Sequence, residues 1–124
     1  MELNHRVCVI TGSASGIGAA CARAFSARGA KVVVTDINIE GAQSVADEIG
    51  GLAIACDVSV EANVIDLVRQ TEEQLGDIDL FFNNAGVATG GDPLETPLEI
   101  WQSQWEINVM AHVYATRAVL PKML

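Results

Sequence analysis

The chain has 124 residues, half of them apolar, which is enough for one domain with a buried core. Sixteen acidic against seven basic side chains leave a formal net charge of −9, which repels a phosphate backbone and argues against nucleic acid as a partner. The segment Met1 to Arg6 has no basic stretch leading into a long apolar one, and nowhere do 18 apolar residues run together. The expectation is therefore a cytoplasmic protein with no membrane association. Cys8, Cys21 and Cys56 are odd in number and show no C-x-x-C spacing, so they read as buried thiols in a reducing compartment and not as metal ligands.

Short apolar runs alternate with helix-length segments. Val7 to Ile10, Val32 to Val34, Leu52 to Cys56 and Ile78 to Phe82 read as strands buried on both faces, the pattern of a parallel sheet. Between the first two, Ile17, Ala20, Cys21, Ala24 and Phe25 recur at i, i+3, i+4, i+7 and i+8, which predicts one buried helical face, closed by Gly29. Ala42, Val45, Ala46 and Ile49 repeat the pattern before Gly50, and Val64, Leu67, Val68, Thr71 and Leu75 repeat it before Gly76. Right-handed crossovers restrict this β-α-β-α-β-α-β string to a doubly wound sheet in the order 3-2-1-4, with helices on both faces. Thr96-Pro97-Leu98-Glu99 offers a capping box with Pro at the first helical position. A helical tract from Pro97 to Leu124 follows, kinked or broken near Asn108 and apolar on more than one face after Val109.

The first strand runs into Thr11-Gly12-Ser13-Ala14-Ser15-Gly16-Ile17-Gly18. Glycines there permit positive φ and let the backbone approach a pyrophosphate at a helix N-terminus; the preceding strand and following helix supply the context that a dinucleotide fingerprint needs. Asp36 ends the second strand about 20 residues later, where a carboxylate accepts from both ribose hydroxyls of an adenosine and repels a 2′-phosphate. Neither Ser15 nor Ile37 supplies a cation for that phosphate, so NAD is favoured over NADP. Capping of the next helix is the plainer use for Asp36.

T-G-x-x-x-G-I-G at Thr11 to Gly18, Asp57-Val58 after the third strand and Asn83-Asn84-Ala85-Gly86 after the fourth resemble the short-chain dehydrogenase/reductase family, and positions from Arg6 to Leu124 fit its N-terminal half. The resemblance implies an NAD(P)-binding Rossmann domain over residues 1–124, incomplete relative to the family. It implies cofactor contacts from Gly12, Ser13, Ser15, Gly16, Ile17, Gly18, Asp36, Ile37, Asp57, Val58, Asn84, Ala85 and Gly86, with Asn83 to Gly86 lining the cofactor cleft. Asp57 would bind the adenine amino group; a turn or helix-capping aspartate is the plainer alternative. The asparagine pair would equally serve local turn amides. Asn108 matches the family's catalytic helix asparagine, which helps hold a water between the cofactor ribose and a catalytic lysine, although such an asparagine often only satisfies a neighbouring backbone group.

By the same resemblance the reaction is hydride transfer between NAD and a small alcohol or ketone. The catalytic serine, tyrosine and lysine would lie beyond the helix ending at Leu124, so residues 1–124 alone are expected to be inactive. Tyr114, the only tyrosine, has Ala118 and not lysine four residues on and is rejected as catalytic, as are the isolated His5 and His112. The alternatives are a non-catalytic NAD-binding module or a fragment with an empty cleft. A homo-oligomer is expected, formed through the C-terminal helix or the exposed edge of the fourth strand.

Overall fold

The computed structural model describes all 124 residues. Four parallel strands, β1 (Val7–Thr11), β2 (Lys31–Asp36), β3 (Leu52–Ala55) and β4 (Leu80–Phe82), form one sheet in the order β3-β2-β1-β4. That is the doubly wound order expected from the alternating pattern. The helices are α1 (Gly16–Ala27), α2 (Ile39–Ile49), α3 (Glu61–Leu75), α4 (Leu98–Trp105) and α5 (Ala111–Met123). Only β1 and β2 are buried on both faces; β3 and β4, at the edges, are largely half-buried.

The pleat sorts the apolar residues into two cores. Val7, Val9, Val33 and Ile54 face α3 and α5, where they meet Val64, Leu67, Val68, Ala115 and Val119. Ile10, Val32 and Val34 face α1 and α2, where they meet Ala19, Ala22, Ala42, Val45 and Ala46. Burial of these side chains, each contributing about 1.5–3 kcal/mol for a Val, Leu or Ile, holds helices on both faces. At the lower end Asp79 pins β4 to β1, its carboxylate accepting from the Val7 amide at 2.9 Å and the Arg6 guanidinium at 3.1 Å.

Two local expectations are corrected. The buried face of α1 is Gly18, Ala19 and Ala22, with Cys21 and Phe25 half-buried, while Ile17 is 73% exposed and Ala20 and Ala24 are exposed. Close approach of helix to strand selects the smallest residues there and turns the larger Ile17 outward. Thr96 does not cap α4 either: its hydroxyl donates to the Asp92 carbonyl at 2.7 Å, and the helix begins after Pro97 without a side-chain cap.

The break expected near Asn108 is a π turn, Glu106–Met110, joining α4 to α5. No helix is long and apolar enough to cross a membrane.

Candidate functional site

A cleft of about 320 Å³ opens at the carboxyl ends of the strands, over the switch point between β1 and β4 where the chain reverses its direction of winding. Nine of the residues singled out in the sequence line it: Gly12, Ser15, Asp36, Ile37, Asp57, Val58, Asn84, Ala85 and Gly86. Cys56, Val87 and Ile107 complete the lining.

The glycine-rich turn is shaped by close backbone approach. Gly12 has φ +64°, and a Cβ on it would stand 2.8 Å from the Ala85 Cα. Gly18 lies beneath, where a Cβ would meet the Asn84 Nδ2 at 2.6 Å and the Ser13 Cα at 2.8 Å. Gly16 has φ +57° but open space around it. Gly12 and Gly18 therefore let two segments touch, whereas Gly16 sets the backbone direction that starts α1. Ser15 precedes that helix without a side-chain cap, and the amides of Gly16, Ile17 and Gly18 have no acceptor within the chain. Such a helix start, carrying free N–H groups and the positive end of the helix dipole, suits an anionic group.

Thr11 and Asn84 fasten this turn to the end of β4. The Asn84 and Ala85 amides each donate to the Thr11 Oγ1 at 3.0 Å, while Asn84 Nδ2 donates to the carbonyls of Thr11 at 3.0 Å and Gly12 at 3.2 Å. Ser13 is fully buried and not in the cleft, its Oγ donating to the Ile10 carbonyl at 2.7 Å and accepting from the Thr35 amide at 3.0 Å. Gly16, Ile17 and Gly18 also stay out of the cleft lining. Asn83 does not line the cleft; it lines a separate groove along the free edge of β4 with Leu80, Thr116 and Leu120.

Asp36 reaches over the turn. Its Oδ2 accepts from the Ala14 amide and its Oδ1 from the Asn38 amide, both at 3.1 Å. Asn38, not Asp36, caps α2, accepting from the Gly41 amide at 3.1 Å. The Oδ1 of Asp57 accepts from the Ser59 hydroxyl at 2.6 Å and the Ser59 amide at 3.0 Å, leaving Oδ2 without a partner in the chain. Asp57 thus forms a turn and lines the cleft at once.

No lysine or arginine lines the cleft. Arg6, Arg23, Arg69, Arg117 and Lys122 are engaged with carboxylates elsewhere. Burial, and then the nearby Asp57 and Asp66 charges, push the Cys56 thiol up to about 12, so it is protonated and unreactive at neutral pH. Cys8 is buried and its pKa raised too, whereas Cys21 is only half-buried.

Asn108 pairs with the backbone of Val87 as a strand neighbour would. Its Oδ1 accepts from the Val87 amide at 2.9 Å and its Nδ2 donates to the Val87 carbonyl at 2.8 Å. The carboxamide is thereby engaged, which matches the plainer backbone-satisfying use. Tyr114 donates to the Glu106 Oε2 at 3.0 Å, and that bond raises the tyrosine pKa, the opposite of what an activated acid/base tyrosine needs.

The site was only partly legible. Cys56 and Val87 follow from adjacency to Asp57 and Gly86, but nothing in the local pattern marks Ile107, which enters the cleft from a π turn.

A parallel doubly wound sheet with a glycine-rich β1–α1 turn, an acid at the end of β2 and a cleft at the switch point defines a dinucleotide-binding type of α/β domain. Comparison narrows the class: the family profile described as short chain dehydrogenase matches residues 6–124, and the chain belongs to that family. Members of the family use NAD or NADP. The chain is 37% identical over 128 residues to the D-threitol dehydrogenase of Mycolicibacterium smegmatis, covering 99% of this chain and 49% of that protein. The crystal structure of a hydroxysteroid dehydrogenase from Escherichia coli superposes with a TM-score of 0.89 at 35% identity, covering 98% of this chain and 54% of that one. A structure described as ribose-5-phosphate isomerase from Brucella melitensis superposes with a TM-score of 0.94 at 33% identity, over 98% and 48%. The chain thus spans about half the length of that D-threitol dehydrogenase.

Proposed function

We propose that residues 1–124 form the cofactor-binding part of an NAD-dependent dehydrogenase or reductase acting on a small alcohol or ketone in the cytoplasm. The observation that carries the cofactor choice is the pairing of free amides at the start of α1 with a cation-free cleft whose ribose side is the Asp36 carboxylate. The free amides, aided by the turn that Gly12 and Gly16 permit, would hold the pyrophosphate. Asp36 would accept from the adenosine ribose hydroxyls, and Asp57 Oδ2 with the apolar Val58 and Ile37 would receive the adenine. Gly86 and Val87, the latter held by Asn108, would line the path toward the nicotinamide. When bound, the nicotinamide exchanges a hydride with the substrate carbon.

What this chain contributes to the reaction is binding and orientation. Tyr114 is not assigned the proton exchanged with the substrate oxygen, because its hydroxyl is committed to Glu106. Cytoplasmic residence is supported by three free cysteines, which a reducing compartment preserves. Self-association through the free β4 edge or the outer side of α5, where Val113 and Leu120 are exposed, is part of the same reading.

Calorimetric titration with NADH and NADPH tests the cofactor assignment. NADH is expected to bind at least about tenfold more tightly than NADPH, and Asp36→Ala is expected to narrow that gap by weakening NADH. Equal binding of the two by the parent protein would refute the assignment.

A further inference from the structure

The inner stripe of the last helical rod, Ile107, Ala111, Ala115 and Val119, advances by four residues at each step. Its last three members are buried, and Ala115 and Val119 join the core against β1, β3 and α3. Ile107 does not join that core; it is half-buried and lines the cleft, which Ile37 and Val58 line from the ends of β2 and β3. An apolar side chain held over a cleft with no core partner presents its surface to whatever enters.

Ile107 and Asn108 are consecutive, yet one lines the cleft while the other grips the backbone of Val87. The wide π turn Glu106–Met110 accommodates both. Such a turn is rarely stable unaided, and this one is braced. The Glu106 carboxylate accepts from Gln102 Nε2 at 2.8 Å, one turn earlier, and from the Tyr114 hydroxyl at 3.0 Å, two turns later. The brace reaches across the turn from both sides, and neither Glu106 nor Tyr114 lines the cleft.

We propose that Glu106 and Tyr114 are positioning residues: bridged across the π turn, they hold Ile107 against the flat face of a purine base in the cleft. The proposal rests on the dinucleotide-binding reading above. It adds that affinity for the adenosine part depends on a hydrogen bond outside the cleft, transmitted by the π turn.

AMP and nicotinamide mononucleotide, titrated into the full chain, separate the contributions. Ile107→Ala is expected to weaken AMP about fivefold to tenfold through lost apolar contact. Tyr114→Phe, which keeps the ring and removes the hydroxyl, is expected to weaken AMP about threefold to fivefold, with little change for nicotinamide mononucleotide. Glu106→Gln keeps a carbonyl acceptor for Tyr114 and should retain most of the affinity; Glu106→Leu should not. Combining Glu106→Leu with Tyr114→Phe should cost no more than Glu106→Leu alone, since the Tyr114 hydroxyl acts through Glu106. With Trp101→Phe as background, the emission of Trp105, next to the turn and half exposed, should shift on adding AMP and less once Tyr114→Phe is added.

If the parent binds AMP and NADH while Ile107→Ala and Tyr114→Phe bind AMP within twofold of it, the brace is refuted and the cofactor reading stands. Loss of AMP and nicotinamide mononucleotide binding in equal measure would also refute it, showing general disruption. Failure of the parent to bind AMP or NADH would overturn the cofactor reading and the brace with it.

Discussion

The two walls of the cleft are built by opposite means. On the β1–β2 side the turn is made by leaving side chains out: Gly12 and Gly18 let segments touch, and free backbone amides start α1 beside the cleft that Asp36 lines. On the β4–α5 side the wall is made by adding them, with Asn108 clasping Val87 and Glu106 clasping Gln102 and Tyr114 around a π turn. The first wall is one glycine-rich turn pressed against Asn84 and Ala85. The second is assembled from partners up to 21 positions apart. A wall of close backbone contacts tolerates no added atom, whereas a wall of side-chain bonds at a wet surface loses them one at a time.

That difference predicts the largest effect at Gly18. Its Cβ would meet the Ser13 backbone and the Asn84 side chain that fastens the turn, so relief requires backbone movement. Gly18→Ala is expected to cost about 3 kcal/mol and to lower Tm by roughly 10 °C. Gly16→Ala, which meets nothing, should cost only about 1 kcal/mol for its positive φ. Thermal unfolding of the two variants side by side checks this, and equal losses would erase the distinction between contact glycine and conformational glycine.

Asn108 gives the corresponding test of the other wall. Asn108→Ala removes both bonds to Val87, but the site is exposed and water can replace them, so the expected loss is about 1 kcal/mol or less. A loss as large as that of Gly18→Ala would mean that the clasp supports the fold and not only the cleft.

The same contrast explains what could be read in advance. Thr11 to Gly18 and Asp36 were legible because β-α-β geometry is local and leaves few residue types able to occupy the turn. The α1 face was misread because Ile17 dominates an otherwise alanine-rich pattern, while the packing distance to β1 selects Gly18, Ala19 and Ala22. Asn108 was legible as a break in an apolar tract. Ile107 was not, because a π turn has no periodicity of its own and its partners come from a loop and from helices on either side. Asn83 shows the limit of motif reading: it shares a motif with Asn84, but past the end of β4 the two line different grooves.

Between the walls, at the end of β3, lies Cys56, and it gives the smallest predicted effect. Its thiol is pushed from the ordinary value of 9.0 up to about 12, chiefly by burial, so the folded protein favours the neutral form. A group whose folded pKa is raised contributes stability that is complete below its unfolded pKa and is lost as pH climbs toward the folded value. The thiol term is therefore flat up to about pH 8 and declines from about pH 9 toward 12, with about 1 kcal/mol gone by pH 10. Cys56→Ala, which cannot ionise, should lose correspondingly less stability than the parent between pH 8 and pH 10 in urea unfolding. Parallel curves would show that the thiol ionises as readily in the folded chain as in the unfolded one, and that the end of β3 is wetter than its burial implies. The test also bears on the cleft, because the core that excludes water from Cys56 is the one on which Val58 packs.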